Sequence, residues 1–294
     1  MKSSIVLIAN PAAQKASDKK VAMASYYLQS KGYTVEVLFT HKRGDAEDLA
    51  RESLLKAPSF VIAAGGDGTF NEVVNGIAGT EIPMAILPLG TTNVLAKELN
   101  IPENVQGAME RVLRKKPTRI SLGKITLTDS SPLLSRYFIL MAGIGYDGAA
   151  VRGTSETIKK FSGQGAYIYS GIKTVLTYDP TLLTVIADGK TYAGCSAIIG
   201  NAAKYGGRFS VTPDARLSDP VLYVCIFRGG KRIDIVRYVF SILAGTHLKC
   251  ADIEYIKAEH IEIKGSAHIQ IDGDYFGMTP AKIEIVPNSL SLVF

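Results

Sequence analysis

The segment Gly65-Gly66-Asp67-Gly68-Thr69-Phe70-Asn71-Glu72 has the residue types and spacing of a phosphate site. It follows an apolar run typical of a buried strand and precedes a predicted helix. A helix N-terminus presents free backbone N–H groups and the positive end of the helix dipole, which attract anions. The glycines allow close approach of phosphates, Asp67 can hold Mg²⁺ directly or through water, and Thr69 can bond a phosphate oxygen or cap the helix. A ligand-free turn between strand and helix is the alternative.

Two further turns are expected beside it. Leu87-Pro88-Leu89-Gly90-Thr91-Thr92-Asn93 follows the fourth predicted strand, and Asn10-Pro11 follows the first. The carboxyl ends of neighbouring parallel strands line one crevice, so these turns should converge at one edge of a sheet. We therefore predict a nucleotide cleft at that edge.

A pair of acids near the C-terminus is the candidate for proton transfer. Asp272-Gly273-Asp274 follows the apolar run that ends at Ile271. Two residues apart on an extended strand, the carboxylates would point the same way and could share a metal or raise one pKa. One of them could accept a proton from a substrate hydroxyl. An Asp-Gly turn is the structural alternative.

Other reactive patterns are weak or missing. Gly143-Ile-Gly145-Tyr-Asp-Gly148 matches the glycine pattern of a dinucleotide site, but no acid closes a strand about 20 residues later. The sequence has no P-loop motif and no G-x-S-x-G. Three separated cysteines predict neither a disulfide framework nor a zinc knuckle, and they favour a reducing compartment. They are Cys195, Cys225 and Cys250.

The first third of the chain alternates strands and helices, which predicts a parallel sheet with helices on both faces. The predicted strands are Ile5–Ala9, Thr34–Phe39, Phe60–Ala64 and Met84–Leu87. The predicted helices are Lys20–Ser30, Asp45–Lys56, Glu72–Ala78, Thr92–Leu99 and Val105–Arg114.

After about Lys124 the pattern changes to strands with tight turns, which predicts a mainly antiparallel second domain. Leu182–Ala187 and Lys190–Ile199 form a predicted hairpin around Asp188-Gly189. We predict a nucleotide-binding α/β domain over 1–123, joined by 281–294, and a β-sandwich domain over 124–280. The further predicted strands are Leu222–Phe227, Ile253–Ala258, His260–Ile263, Ala267–Ile271, Ala281–Val286 and Leu290–Phe294, and the predicted helices are Gly165–Leu176 and Ile233–Leu243.

Composition excludes several classes of protein. With 47% hydrophobic and 20% charged residues, the 294-residue chain is not intrinsically disordered. No apolar stretch approaches the roughly 18 residues of a membrane span. The net charge of +6 suits anionic partners, but no block of five like charges indicates a nucleic-acid tail. We expect a cytoplasmic location, no nucleic-acid partner, and peripheral contact with an anionic membrane at its inner face.

The motifs taken together resemble the diacylglycerol kinase catalytic-domain family, the bacterial lipid kinases related to sphingosine and ceramide kinases. The resemblance runs almost end to end, whereas the Gly-Gly-Asp-Gly-Thr segment alone is shared with NAD kinases. The matching residues are Asn10-Pro11, Gly65 to Thr69 with Asn71-Glu72, Leu87 to Asn93, Gly145-Tyr146-Asp147, Gly200-Asn201, Tyr205-Gly206-Gly207, Pro213-Asp214-Ala215 with Asp219, and Asp272-Gly273-Asp274.

The resemblance implies a nucleotide domain like that of NAD kinase and 6-phosphofructokinase, a β-sandwich domain, and a cleft for ATP and lipid between them. It implies that Asp67 and Asp274 are catalytic residues. Asp67 would be tied to Mg²⁺ and phosphate, and Asp274 would accept the proton, a task that Asp272 could share. A structural Mg²⁺ would bind Asp219 and the backbone oxygens of Arg216 and Val221. The implied ATP site consists of Asn10, Thr40, Gly65, Gly66, Asp67, Gly68, Thr69, Asn71, Glu72, Gly90, Thr91 and Asn93.

This chain departs from the family pattern at two places that matter. Asp274 stands where the family has a catalytic Glu, and Pro220 stands where Gly usually follows the metal-binding Asp. The implied activity is transfer of the ATP γ-phosphate to a lipid hydroxyl, first of all that of diacylglycerol. Phosphatidylglycerol and long-chain bases stay open as substrates. The rival hypotheses are an NAD kinase-like enzyme with a soluble substrate and a non-catalytic nucleotide- or lipid-binding regulator.

Overall fold

The computed structural model describes residues 4–13, 17–153, 178–207 and 209–294. The chain divides into two compact units, Met1–Ser121 with Asn288–Phe294, and Leu122–Pro287. The helix predicted at Gly165–Leu176 lies outside the described residues. Among the residues that are described, no helix is both long enough and apolar enough to cross a membrane.

The first unit is a parallel sheet flanked by helices, as predicted. The sheet has the order β2-β1-β3-β4, with every pairing parallel. The central strands are almost wholly buried because helices cover both faces, whereas the edge strand β2 is half exposed. The elements are β1 (Ser4–Ala9), α1 (Ser17–Ser30), β2 (Thr34–Phe39), α2 (Asp45–Ser53), β3 (Phe60–Gly65), α3 (Asp67–Ile77), β4 (Met84–Pro88), α4 (Val94–Glu98) and α5 (Val105–Arg114), with a short 3₁₀ helix at Leu54–Lys56 after α2.

Helix α3 begins at Asp67, five residues before the predicted start at Glu72. The prediction was wrong because it treated the glycine-rich segment as a turn outside the helix. The Phe70 amide donates to the Gly66 carbonyl over 3.0 Å, so Asp67, Gly68 and Thr69 form the first helical turn. The phosphate-type residues therefore lie at the helix N-terminus itself.

The second unit is a β-sandwich. One sheet has the order β14-β13-β10-β7-β16-β17, and the other contains β5, β6, β8, β9, β15 and β18. The described strand pairs of this unit are antiparallel. The elements are β5 (Thr118–Leu127), which starts in the first unit, β6 (Leu134–Phe138), β7 (Met141–Ile144), α6 (Tyr146–Arg152), β8 (Leu183–Ala187), β9 (Lys190–Gly194), β10 (Ser196–Gly200), β11 (Lys204–Tyr205), β12 (Phe209–Ser210), β13 (Leu222–Phe227), α7 (Arg232–Leu243), β14 (Ile253–Ala258), β15 (His260–Lys264), β16 (His268–Ile271), β17 (Asp274–Met278) and β18 (Ala281–Leu292), with a 3₁₀ helix at His247–Lys249.

The core of the sandwich is filled by alternate residues from both sheets. Val185 and Ile261 of one sheet join Ile199, Val224 and Ile269 of the other in one buried cluster. Strand β18 then continues into residues of the first unit, where Leu292 pairs with Met84 of β4 in parallel. The two late strands predicted from sequence are therefore one continuous strand.

The predicted strand Lys190–Ile199 is also wrong, because the structure contains two strands, β9 and β10, that belong to different sheets. The chain changes sheets at Gly194 and Cys195. A Cβ atom at Gly194 would lie 2.6 Å from the Ile226 side chain, so the crossing needs a glycine. The preceding turn is as predicted, with Asp188 and Gly189 at φ of 45° and 81°.

Candidate active site

The two glycine turns of the first unit touch each other. The amides of Leu89 and Gly90 donate to the Gly65 carbonyl over 2.7 and 3.0 Å. A Cβ atom added to Gly90 would lie 2.5 Å from the Gly66 Cα atom, so no side chain fits between the turns. The ends of β3 and β4 therefore form a cradle of bare backbone, which suits close approach by phosphate groups.

Asp67 joins the two turns through its carboxylate. Its two oxygens accept hydrogen bonds from the amides of Val94 at 3.0 Å and Leu95 at 3.1 Å, in the first turn of α4. Burial raises the pKa of the Asp67 carboxyl, while these two hydrogen bonds oppose that rise. Asp67 thus fixes the position of α4, a role that the sequence did not predict. Its predicted tie to Mg²⁺ stays a prediction.

Asn93 closes the second turn on itself. Its backbone is left-handed, at φ 48°. Its side-chain oxygen accepts from the Gly90 amide over 2.9 Å, and its Nδ2 donates to the Gly90 carbonyl over 2.8 Å. Asn93 therefore shapes the cradle from behind, whereas Thr91 at the tip of the turn is exposed to solvent.

The ends of the other strands bring further predicted residues to the same edge. The Asn10 amide group lies 3.4 Å from the Thr69 hydroxyl, and the Asn10 backbone N–H donates to Ala64 of β3 over 2.9 Å. Thr40 follows β2 and donates its amide to Ala9 of β1 over 2.9 Å. The predicted convergence of the turns after β1, β3 and β4 is thus present within the first unit, and the end of β2 lies at the same edge.

Glu72 and Asn71 have structural partners instead of open positions. The Glu72 carboxylate accepts from the amides of Gly44 at 3.0 Å and Ala46 at 3.2 Å, at the N-terminus of α2. Asn71 is buried and accepts two hydrogen bonds from Asn75. Sequence analysis assigned both residues to the nucleotide site. It did not predict that the Glu72 side chain caps α2 at Gly44, 28 residues earlier in the chain.

We expect Glu72→Ala to lower the free energy of unfolding by about 1–2 kcal/mol, because the N-terminus of α2 loses its carboxylate cap. The measurement is urea denaturation followed by circular dichroism. Glu52→Ala is the matched control, since Glu52 is an exposed acid on the same helix. Equal stability of the two variants would contradict the capping role.

The acid pair of the second unit flanks a tight turn and does not lie on an extended strand. Asp272 and Gly273 have φ of 47° and 88° and form the two-residue turn between β16 and β17. The Asp272 carboxylate accepts three backbone amides, from Ile139, Leu140 and Met141, at 2.8–3.0 Å. The expectation that both carboxylates point the same way from one strand is therefore wrong.

A chain of hydrogen bonds connects this turn to the other motifs of the second unit. The Gly273 amide donates to Gln270 over 2.7 Å, and Gln270 donates to the Asp147 carboxylate over 2.6 Å. The Tyr205 hydroxyl donates to the other Asp147 oxygen. Asp147 lies over Gly143, where a Cβ atom would be 1.7 Å from the carboxylate. Three separate sequence motifs thus meet at one buried acid, and Gln270 is the connecting residue that sequence reasoning missed.

Asp147 should make stability depend on pH. Burial raises the pKa of its carboxyl above the ordinary 3.8, and the hydrogen bonds from Tyr205 and Gln270 only oppose that rise. Between pH 3.8 and the folded-state pKa, the unfolded chain has released a proton that the folded chain still holds. The free energy of unfolding, relative to Asp147→Asn, should therefore fall with rising pH by about 1.4 kcal/mol per unit in that window. Denaturation of both proteins from pH 4 upwards measures it, and a constant difference would contradict it.

An apolar cavity of about 150 Å³ lies beside Asp147. Residues of β10, β13 and α7 contribute to its lining, and Asp147, Ser196 and Tyr205 are among the polar residues there. The apolar part of the lining includes Ile198, Phe209, Phe227, Ile235, Tyr238, Val239, Ile242 and Leu243. A mainly apolar cavity with a few polar groups is typical of a site for a small-molecule ligand.

The predicted structural metal residues lie in the loop before β13. The Asp219 amide donates to the Arg216 carbonyl over 2.9 Å, and the Asp219 carboxylate accepts from the Tyr223 hydroxyl over 2.9 Å. Val221 is half-buried two residues further on. In the described part of the chain, no three His, Cys, Asp or Glu side chains come together as a metal site. One carboxylate with backbone carbonyls is still an oxygen donor set of the kind that Mg²⁺ accepts.

Comparison with known proteins connects this geometry to a family. Residues 4–125 match the model of the diacylglycerol kinase catalytic domain, and residues 141–294 match the YegS C-terminal NAD kinase beta sandwich-like domain. A diacylglycerol kinase of Bacillus subtilis (strain 168) is 30% identical over 284 residues, covering 94% of this chain and 91% of the relative.

Solved structures agree on the fold. A diacylglycerol kinase from Bacillus anthracis str. Sterne superposes with a TM-score of 0.70 at 21% identity, covering 99% of this chain and 97% of that one. Yeast NADH kinase complexed with NADH gives a TM-score of 0.59 at 11% identity, covering 99% and 83%. The family models and the Bacillus subtilis relative together define a phosphotransferase of the kinase class with an NAD kinase-like β-sandwich domain. The chain belongs to the diacylglycerol kinase catalytic-domain family.

Proposed function

We propose that this protein transfers the γ-phosphate of ATP to a lipid hydroxyl, with diacylglycerol as the acceptor and phosphatidic acid as the product. The observation that supports it most is the bare backbone cradle formed by Gly66 and Gly90 in a chain that also has an apolar cavity beside Asp147. The cradle suits a polyphosphate, and the cavity suits part of an acyl chain. Membership of a kinase family implies ATP as the donor.

The first unit binds the nucleotide. The backbone around Gly65, Gly66, Gly68 and Gly90, together with the Thr69 hydroxyl, presents donors to the phosphates at the N-terminus of α3. Asn10, Thr40 and Thr91 lie on the same sheet edge and are proposed to contact the rest of the nucleotide. Asp67 holds the two turns together and is proposed to hold Mg²⁺ through water. When bound, Mg²⁺ neutralises charge on the phosphates.

The second unit supplies the acceptor side. Asp274 follows the Asp272-Gly273 turn and is half-exposed. We assign it as the group that accepts the hydroxyl proton while the oxygen attacks the γ-phosphorus and ADP leaves. Asp272, with three amide partners, positions the turn and is not assigned the proton. Asp219, with the backbone of Arg216 and Val221, is proposed as a separate Mg²⁺ site that braces the loop before β13.

The decisive experiment incubates the protein with radiolabelled ATP and Mg²⁺ in three parallel reactions, with short-chain diacylglycerol, with NAD, and with a total lipid extract. We expect label in phosphatidic acid and none in NADP. Label in NADP alone would replace the proposal with the soluble-substrate kinase. Nucleotide binding without any labelled product would support the non-catalytic regulator instead.

A lipid substrate also implies where in the cell the protein acts. We propose that the protein acts in the cytoplasm and meets the inner membrane peripherally. Of the basic residues that are candidates for this contact, Lys159, Lys160 and Arg208 lie outside the described residues. Arg152 lies 2.8 Å from the His268 ring, and Lys204 is half-buried in β11.

A further inference from the structure

Helix α7 exposes a stripe of large apolar side chains. Ile233, Val236, Phe240 and Leu243 follow one another at spacings of three and four residues and therefore share one face of the helix. Ile233 is 68% exposed, Phe240 67% and Leu243 47%. We call these four residues the α7 stripe. A surface helix of a globular protein normally presents polar residues on its outer face.

The opposite face of α7 is apolar as well, because it forms a wall of the cavity. Ile235, Tyr238 and Ile242 line the cavity from that side. Leu243 belongs to both surfaces, since it lines the cavity and is also 47% exposed. Phe209 of β12, which is 40% exposed, lines the cavity too. The apolar lining of the cavity is therefore continuous with the exposed stripe.

Two cations stand at the N-terminal end of the stripe. Lys231 and Arg232 are exposed, and neither forms an ion pair within the part of the chain that the structure describes. Arg237, on the flank of the same helix, is paired with Asp234 and Asp252. A cation at a helix N-terminus opposes the helix dipole, so helix stability does not account for Lys231 and Arg232. An external anionic partner does account for them.

We propose that the α7 stripe, with Lys231 and Arg232, docks this protein onto the surface of an anionic lipid bilayer. The stripe enters the boundary between head groups and acyl chains, and the two cations contact the anionic head groups. A lipid could then reach the cavity past Leu243 and Phe209 along a continuous apolar surface. Only this last step rests on the proposed function, because docking itself requires no kinase activity.

Vesicle sedimentation tests the docking surface. The probe is vesicles of phosphatidylcholine with and without 30% phosphatidylglycerol. We expect Ile233→Ser/Phe240→Ser to weaken binding at least about tenfold, because two large side chains no longer enter the bilayer. Lys231→Ala/Arg232→Ala should weaken binding to the anionic vesicles only and reduce its salt dependence.

Matched controls exist in the first unit. Tyr26→Ser/Leu55→Ser removes two exposed apolar side chains, and Lys115→Ala/Lys116→Ala removes two adjacent exposed cations. Both controls should bind vesicles like the wild type. Since Ile233 and Phe240 do not line the cavity, their variant should keep the wild-type rate on soluble short-chain diacylglycerol.

Fluorescence gives an independent reading, because the chain contains no tryptophan. In Phe240→Trp, the single emission should shift to shorter wavelength when anionic vesicles are added, whereas Leu55→Trp should not respond. Wild-type binding by Ile233→Ser/Phe240→Ser, or an unshifted Phe240→Trp, would overturn the proposal. So would a wild-type dimer that this serine variant abolishes while vesicle binding persists, since a second copy would then cover the stripe. If the wild-type protein had no lipid kinase activity and the serine variant still lost vesicle binding, the proposed function would be refuted and the docking surface would stand.

Discussion

Asp67→Ala is expected to lower kcat for lipid phosphorylation by at least about 10³-fold, since it removes a charged group of the phosphate site and its hold on α4. The carboxylate accepts the amides of Val94 and Leu95, so alanine leaves both without their partner. That loss should also cost about 1–2 kcal/mol of unfolding free energy. Activity is measured with saturating ATP and short-chain diacylglycerol, and stability by urea denaturation.

Asp67→Asn separates the two roles of this carboxylate. Asparagine retains one oxygen for the α4 amides but has no charge for Mg²⁺. If Asp67 acts on the metal, the asparagine variant should stay nearly inactive and require more Mg²⁺ for half its maximal rate. Recovery of most of the activity at ordinary Mg²⁺ would show that Asp67 only positions the turn. Glu52→Ala, at an exposed acid of α2, should leave both measurements nearly unchanged.

The meeting of the glycine turns at one sheet edge was predictable because parallel strands place their carboxyl ends together whatever lies between them. Asn10, Gly66 and Gly90 are distant in sequence, yet the order β2-β1-β3-β4 brings their turns to one edge. What the sequence could not show is which oxygen faces which amide. Asp67 and Glu72 looked alike as acids of a phosphate loop, and both proved to cap other helices. Such contacts depend on how the helices pack, which residue spacing does not encode.

The second unit was less predictable for a related physical reason. A sandwich strand can change sheets without changing its apolar pattern, as the chain does at Gly194 and Cys195. The Asp-Gly pair at Asp272 could likewise be a strand end or a tight turn, since both are compatible with the residues around it. The positive φ of Asp272 and Gly273 and the pairing of β16 with β17 decide for the turn, and residue spacing shows neither. The α7 stripe was hidden too, because an apolar helix pattern predicts burial unless the coordinates show an exposed face.

Asp274→Asn is expected to lower kcat by about 10²–10⁴-fold, the usual effect of removing a general base, while the affinity for ATP stays unchanged. Asparagine has almost the same shape as aspartate, so the turn should be preserved. Asp274→Glu introduces the residue that the family resemblance implies at this position and should retain activity. Phosphatidic acid formation measures kcat, and nucleotide titration measures ATP affinity.

Asp272→Asn distinguishes proton transfer from support of the turn. Because the Asp272 carboxylate accepts three amides, its amide replacement should lower the unfolding free energy by about 1–3 kcal/mol. In the folded protein its kcat should fall far less than that of Asp274→Asn, since the Asp272 carboxylate is bonded to backbone amides and Asp274 is the proposed proton acceptor. The opposite ranking of the two variants in kcat would assign the base to Asp272. If both variants kept the wild-type rate, the proton acceptor would not be in this turn. The two acids that flank Gly273 would then have no catalytic role.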